Sequence, residues 1–387
     1  MINFSFYNET KIIFGRQSFN DLSKEILKWG KKVLLVYGGS SIKKNGVYDK
    51  IIEQLNKSQI SFVEISGVKP NPRLDLVLEG IDKARKSDVD FMLAVGGGSV
   101  IDTAKAIAMG VKCEKELWSC FNGAVLENEI LPVGVILTIP AAGSESSTTT
   151  VITNQEEGLK RAFSTENLRP KFAILNPETT FTLPKKQTIA GAIDIMAHVF
   201  ERYFTNIKNV DLTDRLCEGV LKSLIKNIPI VLNDPENYDA RAEIMWAGTL
   251  SHNGLLGTGR EEDWASHMIA HEISAQYDIT HGFTLSIIFP AWMKYVYKTN
   301  INRFVQFANR VWDIEIDLDN LELTAMKGIL ETERFFKQLG APIRLRDLNI
   351  NDEYFESMSQ KCINGGAIGN FAKLQFEDVM KVFNIAL

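Results

Sequence analysis

Cysteine is scarce in this chain. Four occur in 387 residues, at positions 113, 120, 217 and 362, and no two form a CxxC pair. That spacing excludes a thiolate zinc site and a disulfide framework, and it fits a reduced, cytoplasmic setting. No uninterrupted apolar stretch approaches ~18 residues, so no transmembrane helix is expected. The opening stretch, MINFSFYNETKIIFG, lacks a basic segment followed by an apolar run, so no signal peptide is expected either. Positive charge is not in excess: the formal net charge is −5. Neither nucleic acid nor an anionic membrane is therefore an expected partner. No internal repeat or low-complexity tract is present.

What is there divides in two. A hydrophobic content of 45% over this length calls for two cores rather than one. Up to about residue 183, short apolar runs alternate with helical patterns. Residues 32–37 (KVLLVY), 60–65 (ISFVEI), 91–95 (FMLAV) and 133–139 (VGVILTI) read as strands. Residues 47–56 and 74–86, and a run from the glycines at 96–98 to Met109, read as helices. Runs buried on both faces and separated by helices predict a parallel, Rossmann-like sheet. From about Pro184 the pattern changes to amphipathic stretches at 188–204, 212–225, 240–250, 264–275, 304–311 and 325–339. This predicts an all-helical second domain. The expected division is residues 1–183, an α/β dinucleotide-binding domain, and 184–387, a helical metal-binding and catalytic domain, with Pro184 favouring a break before a new start.

Two turns in the first half suit a nucleotide. The strand at 91–95 runs into Gly96-Gly97-Gly98-Ser99 and then a helix. Glycines permit close backbone approach and positive φ, and the helix start offers unpaired N–H groups to a pyrophosphate. Ser99 could add a hydroxyl donor or cap that helix. The usual G-x-G-x-x-G after a first strand is absent. The strand at 32–37 ends instead in Gly38-Gly39-Ser40-Ser41, with Lys43 and Lys44 following. An acid at such a strand end would bond a ribose 2′-OH and repel a 2′-phosphate. The turn holds no acid, which favours NADP(H). A third small-residue loop, Thr138 to Ser147, follows the strand at 133–139.

The five histidines all lie between His198 and His281. Asp194 and His198 are four apart in a helical stretch, hence on one face and one turn apart. His267 and His271 repeat that spacing, and His281 stands where a further helix begins. A mixed carboxylate and imidazole set suits Fe²⁺ or Zn²⁺ and does not suit Ca²⁺ or Mg²⁺. Spacing alone leaves open which of His267, His271 and His281 bind. His252 stands apart and reads as structural or pocket-lining.

These segments together resemble the iron-containing (group III) alcohol dehydrogenase family. The resemblance is carried by Gly96-Gly97-Gly98-Ser99 with Asp102 and Lys105, by Asn176-Pro177-Glu178 and Thr182-Leu183-Pro184, by residues 191–201, and by the histidine segments at 267–271 and 281–282. Within the family the chain is most similar to the butanol dehydrogenase and NADPH-dependent aldehyde reductase branch, a likeness carried by Trp264 and its neighbours. The resemblance implies a dehydroquinate synthase-like architecture, a homodimer, and a cleft between nucleotide and helical domains. It implies metal ligands Asp194, His198, His267 and His281, with His271 a non-ligand near the substrate and a proton-relay candidate. Cofactor contacts implied by likeness are Gly38, Gly39, Ser40, Gly97, Gly98, Ser99, Asp102, Thr138 and Lys160. The loop at 141–146 reads AAGSES, where many relatives carry a Thr- and Gly-rich run. The activity implied is metal-dependent, NADP(H)-linked interconversion of short to medium aliphatic alcohols and aldehydes. Rival readings are a glycerol dehydrogenase or dehydroquinate synthase-like enzyme on the same framework, a metal hydrolase, and a non-catalytic binder.

Overall fold

A computed structural model describes residues 1–113, 116–126 and 129–387. Six strands form one parallel sheet: β1 (Lys11–Phe14), β2 (Lys32–Tyr37), β3 (Ser61–Ile65), β4 (Phe91–Gly97), β5 (Val133–Ile139) and β8 (Phe172–Leu175), in the order β1-β8-β5-β4-β2-β3. Two more, β6 (Thr149–Asn154) and β7 (Leu159–Ser164), pair as an antiparallel hairpin outside it. Helices α1 (Val47–Lys57), α2 (Leu74–Lys86) and α3 (Gly98–Val111) connect the strands.

The strands sort their side chains by parity, because successive residues point to opposite faces. Leu34, Val36, Met92 and Ala94 join one core with Val77, Ile81, Ile101 and Ile107 of α2 and α3. Val33, Leu35, Leu93 and Val95 join the other with Ile51 and Leu55 of α1. Burial on both faces is why these runs read as continuous apolar stretches. The sheet turns back on itself at β2: the chain steps outward to β3, then returns to place β4 on the other side of β2. The carboxyl ends of β2 and β4 therefore lie side by side at a switch point, the place where open α/β sheets collect ligands.

After β8 the described residues contain no further named strand. The helices are α4 (Lys185–Tyr203), α5 (Asp211–Asn233), α6 (Tyr238–His252), α7 (Ala265–Tyr277), α8 (His281–Val296), α9 (Ile301–Trp312), α10 (Leu321–Leu339), α11 (Phe355–Cys362) and α12 (Phe376–Ala386). Helix α5 runs past the end expected at residue 225 because it accommodates Pro229 internally; α8 does the same with Pro290. Among the described residues no helix is long and apolar enough to cross a membrane.

Two compact units result. One comprises Tyr7–Pro184 with Asn233–Asn253; the other comprises Met1–Phe6, Lys185–Leu232 and Gly254–Leu387. Pro184 closes the main segment of the first unit, but two segments cross the sequence order. Helix α6 packs on the α/β unit, where Trp246 meets Phe14 edge-on and Thr249 donates to buried Glu145. The opening residues join the helical unit: Ile2 donates its N–H to Gly259. All four cysteines are buried, and no disulfide joins them.

Candidate metal centre and nucleotide turn

Helix α4 carries Asp194, His198 and Glu201 at spacings of four and three, which stacks them on one face. All three are buried, Glu201 completely. Helix α7 contributes His267 and His271, and His281 is the first residue of α8. The approach of α8 to α4 depends on Gly282. A Cβ there would lie 2.0 Å from the Ala190 carbonyl oxygen, so only glycine lets the two backbones come this close.

One ligand atom each from Asp194, His267 and His281 falls within 4.8 Å of the others. His198 adjoins this trio: its Nε2 is 3.4 Å from Asp194 Oδ1, and its ring centroid is 4.6 Å from that of His267. His271 lies beside the trio, its ring 4.9 Å from His281 and 6.5 Å from His267. Of the three histidines that spacing left open, His267 and His281 fall in the trio and His271 lies next to it. His252 belongs to the other compact unit, on α6, with Nδ1 3.0 Å from the Ala142 carbonyl.

The donor set fits a cation. Asp194 Oδ1 and His267 Nε2 are buried and make no hydrogen bond. A buried polar atom left so costs about 1–3 kcal/mol, which an ion between the two would relieve. His267 is also held for the purpose. Its Nδ1 lies 2.6 Å from Glu201 Oε1, and a ring nitrogen facing a carboxylate carries the proton. Nε2 is thereby left with its lone pair toward Asp194, 3.8 Å away. Burial pulls the His267 pKa down, but the carboxylates of Asp194 and Glu201 outweigh it and hold the imidazole above its ordinary value.

Glu201 was not singled out from the sequence. The signal was present: it stands seven residues after Asp194 and three after His198, on the same helical face. Its other oxygen accepts the Trp264 N–H at 2.6 Å. Trp264 occupies the left-handed region at φ 69°, at the residue before α7. Its ring meets His198 and His267 edge-on, and the Arg202 guanidinium sits 4.8 Å over it. Next to it, Asp263 is buried and accepts the N–H groups of Asn370 and Phe371, each at 2.7 Å. Burial, reinforced by the charge of Glu201, pushes Asp263 up to about 7.

In the α/β unit, Gly38, Gly39 and Ser40 follow β2, and Gly97, Gly98 and Ser99 span the end of β4 and the start of α3. None of these glycines has positive φ. Gly97 is needed for clearance instead: a Cβ there would meet Ile139 Cβ at 2.7 Å. Gly39 by contrast faces open space, with nothing within 4 Å. Ser99 lies inside the first turn of α3 and does not cap it; Gly97 holds the cap position. Thr138 is buried near the end of β5.

Asp102 and Lys160 face protein groups. Asp102 accepts from Ser144 Oγ at 2.6 Å and the Val151 N–H at 3.1 Å, and Lys160 donates to Asn71 at 2.9 Å. Fully buried Lys105 donates to the carbonyls of Ser144, Ser147 and Thr149 at 2.7–3.0 Å. Asp102 and Lys105 thus fasten the loop after β5 and the start of β6.

With this geometry in view, comparison with known proteins is decisive. The iron-containing alcohol dehydrogenase family matches residues 9–177, and the C-terminal part of the Fe-containing alcohol dehydrogenase family matches residues 188–387. The chain belongs to the iron-containing alcohol dehydrogenases. It is 45% identical to the probable NADH-dependent butanol dehydrogenase 2 of Bacillus subtilis, over the full length of both. It is 37% identical to the NADPH-dependent aldehyde reductase YqhD of Escherichia coli, over 93% of each. The crystal structure of NADH-dependent butanol dehydrogenase A from Thermotoga maritima superposes with a TM-score of 0.95 at 39% identity, covering 100% of this chain and 99% of that one. As a member of this family the chain is an oxidoreductase of the alcohol dehydrogenase type. The relatives' names divide between NADH and NADPH.

Proposed function

We propose that this alcohol dehydrogenase interconverts short to medium aliphatic aldehydes and primary alcohols with a divalent ion, Fe²⁺ or Zn²⁺, held by Asp194, His198, His267 and His281. The observation that carries this reading is the trio of ligand atoms within 4.8 Å, from buried Asp194 and His267 and half-buried His281, with Asp194 Oδ1 and His267 Nε2 making no hydrogen bond. Ion and nicotinamide supply the chemistry, Lewis acidity at the substrate oxygen and hydride exchange at its carbon. The chain supplies position and protons. Glu201 keeps the proton on His267 Nδ1 and so keeps Nε2 available. His271, half-buried beside His281, is placed to pass a proton between the substrate oxygen and solvent.

The cofactor reading is NADP(H), with NAD(H) tolerated. Its support is the β2 turn, which holds no acid and leaves Gly39 open toward a 2′-phosphate. The NADH-named relatives set the competing expectation. A dehydroquinate synthase-like reading needs free cations for an anionic substrate. Arg202 and Arg260, the cations nearest the histidines in sequence, are engaged instead: Arg202 bonds the His198 carbonyl and pairs with Glu262, and Arg260 bonds Asp214 and the carbonyls of Arg202 and Val210. A homodimer is supported by β1, the outer edge of the sheet, beside which Tyr7 and Phe14 expose their rings. The buried thiols accord with a cytoplasmic setting.

One experiment tests the centre of this reading. Protein stripped of metal and reloaded with Fe²⁺ or Zn²⁺ is assayed for NADPH and NADH oxidation with straight-chain aldehydes. Turnover that needs the ion, with kcat/KM higher for NADPH, is expected; no turnover with either metal would sink the proposal. In the same assay His271→Gln should keep its metal and lose roughly 100-fold in kcat. Unchanged kcat would remove His271 as a relay.

A further inference from the structure

We infer that Glu201 is the positioning residue of the metal centre: one buried carboxylate that aims the His267 ring and anchors the strained turn from which His267 is delivered. The inference rests on the metal reading above and adds a residue that touches neither ion nor substrate. Three donors converge on this side chain. Oε1 accepts His267 Nδ1 at 2.6 Å and the His267 backbone N–H at 3.1 Å, and Oε2 accepts the Trp264 N–H at 2.6 Å. Its own backbone oxygen accepts the Asp263 N–H at 2.8 Å.

Glu201 thus joins α4, which carries Asp194 and His198, to the start of α7, which carries His267. A fully buried carboxylate is costly unless its donors are in place, so this arrangement is held all-or-none. The turn it holds is one the chain would not adopt unaided. Trp264 sits at φ 69°, a region that disfavours a bulky side chain. With the carboxylate removed, Trp264 is released toward ordinary φ, and the imidazole is free to rotate or to move its proton to Nε2. Either change takes the lone pair away from Asp194. Carboxylates that orient a metal-binding imidazole are typically worth 10–100-fold in metal affinity.

The test uses full-length protein, wild type, Glu201→Gln and Glu201→Ala, each stripped of metal and titrated with Co²⁺ against a competing chelator. Affinity and the visible absorption envelope of the cobalt protein are both read. Glu201→Gln keeps the shape and one acceptor oxygen but turns an N–H donor toward one of the three donors. The expected order of affinity is wild type, then Gln, then Ala, with Ala 10–100-fold weaker and its cobalt envelope altered, a signature that loosened packing elsewhere would not produce. Thermal melting of the metal-free forms identifies a variant that has failed to fold; if Ala fails, Gln decides alone. Folded variants with wild-type affinity and envelope would overturn the inference while leaving the metal reading intact. A wild-type chain that takes up no cobalt would sink the metal reading, and this inference with it.

Discussion

Asp263 shows how closely one side chain can be tied to its surroundings. It is buried next to Glu201, and its carboxyl is pushed up to about 7 against an ordinary unfolded value of about 3.9. Between those two values the native chain holds a proton that the unfolded chain has released. Stability from this group is therefore fully present below about pH 3.9 and is lost as pH rises through about 7. Three units correspond to about 4 kcal/mol as an upper figure. Asp263→Asn keeps an oxygen for the Asn370 and Phe371 N–H groups and cannot ionise. Comparison of urea midpoints between pH 5 and pH 8 should show wild type falling more steeply than Asp263→Asn. Equal slopes would mean that the Asp263 carboxylate is already ionised at pH 5.

Among elements, the informative junction is the one between β2 and the short helical turn Ser41–Lys44. Gly39 stands there exposed, and a side chain would meet no neighbour. Gly39→Asp therefore adds a charge without a packing cost. If a 2′-phosphate binds at this turn, the aspartate should lower kcat/KM for NADPH while sparing or raising that for NADH. A ratio that does not move would place the 2′-position elsewhere. Strands β2 to β5 were legible because each is an apolar run bounded by polar turns. Strands β1 and β8, KIIF and FAIL, are four residues each, too short to show a period. Hairpin β6–β7 mixes polar and apolar residues on both faces, so it shows no alternation, and was not expected. In the centre itself, the pair Asp194 and His198 followed from helical spacing. The separation of His267 from His271 came from likeness alone, because both share one face of α7. Glu201 shares the helical face of Asp194 and His198, a signal of position that the sequence carried, but its role could be read only once its partner on α7 was known.

At the scale of the molecule, sequence order and compact unit part company. Amphipathic spacing marked α6 as a helix without telling which core would receive it, and it joins the sheet unit. The two units also differ in what holds them. The sheet is filled on both faces by its own apolar clusters. The start of α8, by contrast, brings His281 toward α4 across a backbone contact at Gly282, with two buried polar atoms left unsatisfied between α4 and α7. An ion bound by residues of α4, α7 and α8 would stabilise these helices selectively, by about 4 kcal/mol when present at a thousand times its dissociation constant. Because the imidazoles must be neutral to bind it, that stabilisation should weaken on acidification, most of all through His267, whose proton is already held more tightly than usual. Chelation should therefore lower the thermal midpoint and speed amide exchange along α4, the first turns of α7 and the start of α8, while the amides of β4 and β5 keep their protection. Readdition of Zn²⁺ should reverse both effects. Exchange that rises equally in sheet and helices, or in neither, would show that the ion does not brace this unit.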